Sequence, residues 1–235
     1  MAKGRDMCGR FNVTDDPYMH ALLQGLGVDL GPLPLRVCED IAPTQRVSMV
    51  IDECGEQILC DATWWLLLTQ EGRDFKPLSK YASFNTRSDK LNVPRSAGFI
   101  PFRQSRCIIP ASGFIETEKG KAFSITPVNQ AIAFGGLFRE WVHDDTGEMV
   151  RSCSIITLPP HPSIAPYHSK SMPLILPNDP DVRNMWLDRE RVNTDALMSL
   201  LTSRLPLDVY VTPIKRASEN VPTGRPVLLP KDDLA

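Results

Sequence analysis

The sequence predicts an α+β protein of one domain: a mostly antiparallel, curled, barrel-like sheet with a few peripheral helices. Three observations carry that expectation. Over 46–158 the chain is a succession of short runs rich in β-branched and aromatic residues, broken by turn residues. Proline is abundant, at 21 of 235 residues against a usual ~5%, which favours turns and short elements over a helical bundle. No repeat, low-complexity tract or Gly/Ser linker divides the chain, and strands in a run with helices outside them indicate α+β. A chain of this length buries ~70% of its unfolded surface, enough for a core without disulfides or metals. A hydrophobic content of 42% excludes a disordered chain.

The elements follow in order. Asp16 before Pro17 reads as an acidic cap with proline at the first helical position; Leu22, Leu23 and Leu26 share one face, and Gly25 and Gly27 end the helix. Strands are expected over 47–51, 57–68, 106–115, 122–126 and 131–141, with turns at Glu53-Cys54-Gly55 and Glu118-Lys119-Gly120. Asp144-Asp145-Thr146-Gly147 is a hairpin signal leading into a strand over 149–158. A proline-rich stretch, 159–166, precedes a short strand over 172–176. Helical patterns follow at 182–187 and 194–201, then a strand near 209–214. Past residue 178 the helices are expected to cover one sheet face. The domain is expected to span 8–225.

Formal charge is −2, which excludes a uniformly basic nucleic-acid binder. The charge is uneven, however. Lys76, Lys80, Arg87, Lys90, Arg95, Arg103 and Arg106 face a single acid, Asp89, so this window carries +6 and the rest of the chain −8. Tyr81, Phe84, Phe99 and Phe102 are interleaved with it. Cations beside flat rings suit single-stranded nucleic acid, whose phosphates need charge and whose bases need stacking surfaces; a solvated basic face over core aromatics fits the same pattern. The first thirty residues hold no run of signal-peptide length, and the densest apolar run, Trp64-Trp65-Leu66-Leu67-Leu68, falls far short of the ~20 residues that span a bilayer. The expectation is a cytoplasmic protein with no membrane partner.

Six cysteines (Cys8, Cys38, Cys54, Cys60, Cys107, Cys153) without an export signal are expected to be free thiols. None forms C-x-x-C or falls at zinc-ligand spacing, so neither a metal nor any other cofactor is expected. Of four histidines, His20 lies in the first helix and His143 in a hairpin turn, both expected to be inert. His161 and His168 bracket a loop, where reactive groups concentrate. Cys8 stands apart because it follows Met7. Were Cys8 the first residue, its amine and thiol would be vicinal and free, and a 1,2-aminothiol condenses with an aldehyde into a thiazolidine. An amine of pKa near ~8 keeps a nucleophilic fraction at neutral pH.

Several motifs, in order, resemble those of the SRAP family (SOS response-associated peptidases), whose members begin Met-Cys-Gly-Arg-Phe. Met7-Cys8-Gly9-Arg10-Phe11 matches that start, and Asp40-Ile41-Ala42-Pro43 is similar to its N-x-A-P segment. Phe84-Asn85-Thr86-Arg87 resembles its N-A-R motif, with Arg95 at the next basic position. The run from Cys107 to Glu116 resembles R-C-(I/L)-x-P-x-x-G-(F/W)-(Y/F)-E-W. Ser154-Ile155-Ile156-Thr157, His168 and Met172-Pro173 resemble the closing T-x-x-A…H-x-R-M-P block. The match runs over 8–176.

The resemblance implies covalent capture of abasic sites in single-stranded DNA: Cys8 closes a thiazolidine on the lesion's aldehyde and shields it, after an autopeptidase step exposes Cys8. It implies that Asn85 orients the Cys8 amine, that Glu116 is the general acid/base, and that His168 assists sugar opening and reversal or lyase cleavage. Arg10, Arg87, Arg95 and Lys170 are implied to hold phosphates, and Pro43 and Thr157 to shape the pocket. The partner is single-stranded DNA with abasic sites, and the protein is expected to act as a monomer.

Three departures carry expectations of their own. The family's W-G-x-x-P-x-W wedge reads Trp65-Leu66-Leu67-Leu68-Thr69-Gln70-Glu71, so the wedge is either missing or supplied by Phe75 or Tyr81. The family's H-x-R reads His168-Ser169-Lys170, a point charge without the guanidinium fork. Thr117 follows Glu116 where the family has tryptophan, which predicts a wetter carboxylate. Residues 1–7 are an extension that must be absent or removed, because an amide nitrogen at Cys8 cannot close the ring; either Met7 is the true start or the thiol excises the segment. Two other classes fit parts of the sequence: a cysteine peptidase using Cys8, His168 and Glu116, and a non-catalytic single-stranded DNA-binding module.

Overall fold

A computed structural model describes residues 9–28 and 34–233. After strand β1 (Arg10–Val13), helix α1 (Pro17–Gly25) forms where the sequence placed it. The Asp16 carboxylate accepts from the Tyr18 and Met19 amides, each at 2.9 Å, and Pro17 occupies the first turn. Such a cap stabilises a helix by ~1 kcal/mol. Met19, Leu22 and Leu23 are buried, and Gly27 at φ +71° turns the chain away.

Strand β2 (Cys38–Ile41) precedes β3 (Arg46–Glu53) and β4 (Glu56–Trp64), which form a hairpin. Its turn is Cys54 at φ 57° and Gly55 at φ 87°, the two left-handed residues that match strand twist. The strand expected over 57–68 stops at Trp64. That side chain is fully buried and donates to the Phe84 carbonyl at 2.8 Å, while the Leu66 and Leu67 amides turn to Ser83. The chain then makes a separate pair, β5 (Leu68–Glu71) with β6 (Asp74–Pro77).

The strand expected over 106–115 is two strands. Strand β7 (Asn85–Arg87) and helix α2 (Phe99–Gln104) lead into β8 (Arg106–Ala111), and β9 (Gly113–Glu118) follows after a break at Ser112. The Ser112 amide donates to Asn12 O, and its hydroxyl meets the Thr14 amide and hydroxyl. At this break the chain passes from one sheet to the other. Gly113 allows it: a Cβ there would lie 3.0 Å from Ile125 O, Asn12 Oδ1 and Thr126 Cγ2.

Strands β10 (Lys121–Pro127), β11 (Ile132–Val142) and β12 (Met149–Leu158) appear where expected, β11 and β12 across the Asp144–Gly147 hairpin. In one sheet the order β12-β4-β3-β8-β11 is closed by pairing of β11 with β12, giving a five-stranded barrel. Strands β7, β13 (Met172–Pro173) and β14 (Ile175–Leu176) extend its rim. The second sheet runs β16 (Glu219–Pro222), β15 (Val209–Arg216), β10, β9, β1, β2, so the mostly antiparallel, barrel-like expectation holds.

The C-terminal expectation needs correction. Helix α3 (Pro180–Leu187) forms, capped by Asp179, but 195–201 is 3-10 rather than α-helix. Beyond it lie strands β15 (Val209–Arg216), β16 (Glu219–Pro222) and β17 (Val227–Leu229). Strand β15 pairs with β10 over six residue pairs, so the tail adds strands at a sheet edge as well as packing α3, through buried Trp186, on the barrel face at β8.

Candidate functional site

Strand β9 alternates, and that alternation sets the site. Phe114 faces the main core. Ile115 faces the other side of the sheet, where it clusters with Ala122 and Ile214. Glu116 is drawn inward on the Phe114 side and is 2% exposed. This corrects the wetter carboxylate expected from Thr117: Glu116 lies on the buried face of β9, whereas the Thr117 side chain is exposed.

Packed beside Glu116 is His168, 1% exposed. Its loop is held by the His168 amide donating to Ile164 O, and by the Ser169 amide and hydroxyl donating to Glu118 Oε2 at 2.8 and 2.9 Å. Those bonds hold the Glu118 carboxyl below the usual carboxylate range. His168 Nδ1 lies 3.0 Å from Thr117 O and 3.5 Å from Glu116 Oε2. A carbonyl only accepts, so the network assigns the proton to Nδ1 and leaves the Nε2 lone pair, in the neutral ring, facing Ser171 Oγ at 3.5 Å. A buried acid sharing a histidine proton can take up and return protons at one reacting centre.

Asn85, 8% exposed, reaches the site through β7, which pairs in parallel with β12 at Asn85↔Ile155 and Arg87↔Thr157. A 2.8 Å hydroxyl contact between Thr86 and Ser154 locks that register. Edge-on aromatic contacts tie the contributing strands together. Phe84 packs on Trp64 at 5.7 Å, Trp64 on Phe11 at 4.8 Å, and both Phe11 and Phe114 on Phe134. Each such pair stabilises by roughly 0.5–1.5 kcal/mol beyond area burial. The rings fix the residues before Asn85, after Gly9 and before Glu116 against one another.

Cys8 lies outside the described residues. Strand β1 begins two residues after it, and Arg10 pairs with Ile115, so the N-terminal end of β1 lies at the Glu116 end of β9.

The remaining site residues are spread out. Arg10 forms an ion pair with Asp40, and Pro43 is half-buried in the following turn. Arg87 is exposed and doubly bonded to Asp89 at 2.9 and 2.8 Å. Arg95 is exposed at φ 69°, in a turn before α2. Thr157 is buried, and Lys170 is exposed two residues beyond His168.

The basic window divides once folded. Arg106 is 1% exposed and donates to backbone carbonyls, Arg103 bonds Leu91 O and Phe99 O, and Lys76 pairs with Glu71. Phe84 and Phe102 are core residues and part-buried Phe99 is covered by the Arg103 guanidinium at 3.9 Å, so of the window's rings Tyr81, half-exposed with Lys80 beside it, is the most exposed. Phe75 packs against Trp141 and His143. His143 is 4% exposed and staples its hairpin by accepting from the Asp145 and Thr146 amides. The Thr117 carbonyl and the Ser169–Glu118 clamp escape sequence reading, because one is backbone and the other joins residues 51 apart. Cys38, Cys54, Cys60, Cys107 and Cys153 are free, and burial pushes the Cys60 thiol up to about 11. Among the described residues no cluster of His, Cys, Asp or Glu is placed to hold a metal, and no helix is long and apolar enough to cross a membrane.

Comparison with known proteins gives a consistent result. The model of the family described as SOS response associated peptidase (SRAP) matches residues 7–221. The chain is 26% identical to the Abasic site processing protein YobE of Bacillus subtilis (strain 168), over 86% of this chain and 90% of that protein. It is 25% identical to the Abasic site processing protein HMCES of Xenopus tropicalis, over 63% of this chain and 50% of that one. A solved structure from Bordetella bronchiseptica shares the fold at TM-score 0.68 and 17% identity, covering 89% of this chain and all of that one; another from Bacteroides thetaiotaomicron does so at 0.64 and 21%, covering 87% and 92%.

Proposed function

The chain belongs to the SOS response associated peptidase (SRAP) family, and from that premise we propose that it captures abasic sites in single-stranded DNA through Cys8. The observation that carries the reading is the buried Glu116–His168 pair, 3.5 Å apart, at the end of β9 toward which the N-terminus of β1 leads. Its support from the comparisons is that relatives over most of the chain are named as abasic site processing proteins.

The chemistry runs in two steps. The Cys8 amine adds to the aldehyde carbon of the open-chain sugar, and loss of one water gives an imine. The Cys8 sulfur then adds to that carbon, the nitrogen takes a proton, and the thiazolidine closes. Each step moves a proton at the same centre. Glu116 carries it, Asn85 orients the amine, and His168 buffers Glu116 through its Nδ1–H while Nε2 serves sugar opening. Exposed Arg87, Arg95 and Lys170 hold phosphates, with Arg10 charge-neutralised by Asp40 until a phosphate competes. Loss of residues 1–7 is part of the proposal. Either translation starts at Met7 and that methionine is removed hydrolytically, or the Cys8 thiol adds to the Met7 carbonyl carbon, the C–N bond breaks to free the Cys8 amine, and water hydrolyses the resulting thioester.

The test is a denaturing gel of mature protein with an oligonucleotide carrying one abasic site. Wild type gives a denaturation-resistant band; Cys8→Ala and Cys8→Ser give none. Glu116→Gln slows the band by about 10²–10⁴-fold. A band that persists in Cys8→Ala, or in a chain that retains residues 1–7, overturns the mechanism.

A further inference from the structure

Beyond the motif-bearing segment, two hairpins meet over His168. One is the β9–β10 turn, with Lys119 at φ 49° and Gly120 at φ 79°; the other is the β15–β16 turn. Together with Lys170 they enclose a cavity of about 560 Å³, with His168 on its wall and Lys119, Lys215 and Arg216 around its mouth.

The carboxylates nearby are committed to structure. Glu118 accepts from the Ser169 amide and hydroxyl, and Glu219 bridges Lys215 at 2.9 Å and Arg216 at 2.7 Å. Three lining cations, Lys119, Lys215 and Arg216, stand against these two acids, a net +1 in a protein whose overall charge is −2. Positive charge concentrated in a concave site attracts anions more strongly than the same charge on a convex face. His168 on the cavity wall is the histidine of the Glu116–His168 pair, so an anion bound here lies beside that pair.

We infer that this cavity is a phosphate subsite for the DNA strand flanking the lesion, with Lys119, Lys215 and Arg216 as its contacts. The inference rests on the proposed function for its ligand, and it adds the β15–β16 hairpin to the DNA-binding surface. It also gives the C-terminal strands a role besides completing a sheet edge: β15 carries Lys215 and Arg216 to the rim because it pairs with β10 along its length.

The experiment uses full-length mature protein and a single-stranded oligonucleotide with a tetrahydrofuran abasic analogue, which has no aldehyde and reports binding alone. Affinity is measured from low to high salt for wild type, for Lys119→Ala/Lys215→Ala/Arg216→Ala, and for a charge-matched control, Arg73→Ala/Arg225→Ala/Lys231→Ala. Each single-strand phosphate contact adds ~0.7 to the slope of log affinity against log salt. The first variant is expected to lose about 2 from that slope and the control nothing. A second arm keeps the protein unchanged and makes linkages beside the lesion neutral with methylphosphonates; one flanking side is expected to reproduce part of the loss. Equal slopes in all three proteins, or equal losses in variant and control, overturn the subsite. Inorganic phosphate that binds the wild type equally well whether or not the oligonucleotide is bound overturns its assignment to a strand. Because the analogue cannot crosslink, a missing covalent band with the natural lesion counts against the proposed function and leaves this slope standing.

Discussion

Replacing Arg106 with methionine removes a cation that holds two helices to the barrel. Its guanidinium donates to Phe102 O at 2.7 Å and Arg103 O at 3.0 Å at the end of α2, to Trp186 O at 2.6 Å at the end of α3, and to Asp188 O. Helix ends leave their last carbonyls without partners, and here a single side chain supplies four of them. Charge-assisted bonds contribute about 1.5–3 kcal/mol each, so the gross stabilisation is roughly 6–12 kcal/mol. Against it stands the desolvation of a guanidinium that is 1% exposed, several kcal/mol. That penalty pushes the Arg106 pKa down to about 10, still charged at neutral pH. The methionine variant escapes the penalty but strands the carbonyls in the interior, for a net loss of about 3–5 kcal/mol. In urea, with a slope near 3 kcal/mol/M, the unfolding midpoint is expected to fall by about 1–1.7 M. Arg106→Lys should recover less than half, since an ammonium lacks the planar fork needed to span two helices. A midpoint shift under ~0.3 M for methionine, at unchanged slope, would refute the reasoning.

Three further outcomes are expected. Gly113→Ala brings a methyl group to 3.0 Å from a backbone oxygen of β10, so stability should drop by about 1–3 kcal/mol; thermal unfolding that matches wild type contradicts the close approach. Alkali should destabilise the fold through its buried thiols. Burial raises Cys60 from 9.0 to about 11 and raises Cys107 and Cys153 as well, so above pH 9 the unfolded chain releases protons that the folded chain retains. Stability therefore falls as pH rises, by about 1.4 kcal/mol at pH 10 from Cys60 alone, and Cys60→Val should flatten the pH dependence of the urea midpoint. Asp16→Ala should cost ~1 kcal/mol at pH 7. Desolvation raises the Asp16 carboxyl, but hydrogen bonds from Thr14, Met19 and Tyr18 outweigh it and hold its pKa below 3.8. The cap's contribution is thus present above that value and lost as pH falls through the folded pKa, so wild type and variant should converge in acid.

Local chemistry was legible in the sequence, and long-range assembly was not. Asp16-Pro17 and the Cys54-Gly55 and Lys119-Gly120 pairs announce α1 and two hairpins because each acts within a few residues. Strands β1, β2 and β7 carry no comparable signal; each is four residues or fewer and exists because a distant strand pairs with it. Barrel closure depends on β12 lying between β11 and β4, which no local pattern encodes. The basic window shows the same limit within the candidate site: Phe84 and Phe102 have the composition of stacking platforms, but only tertiary packing decides that they face the core. Asn85, Glu116 and His168 were found by their order along the chain. That two of them lie within 3.5 Å, in a nearly dry setting, follows from the loop of His168 being clamped against β9.

The carbonyl of residue 117 is common to every amino acid that could stand there, whereas its side chain points to solvent. The proton on His168 is therefore positioned by the main chain of β9. Exchange of an aromatic for a threonine at this point leaves the histidine's tautomer untouched, so evolution is at liberty to vary the neighbour of the acid without disturbing where its partner keeps a hydrogen.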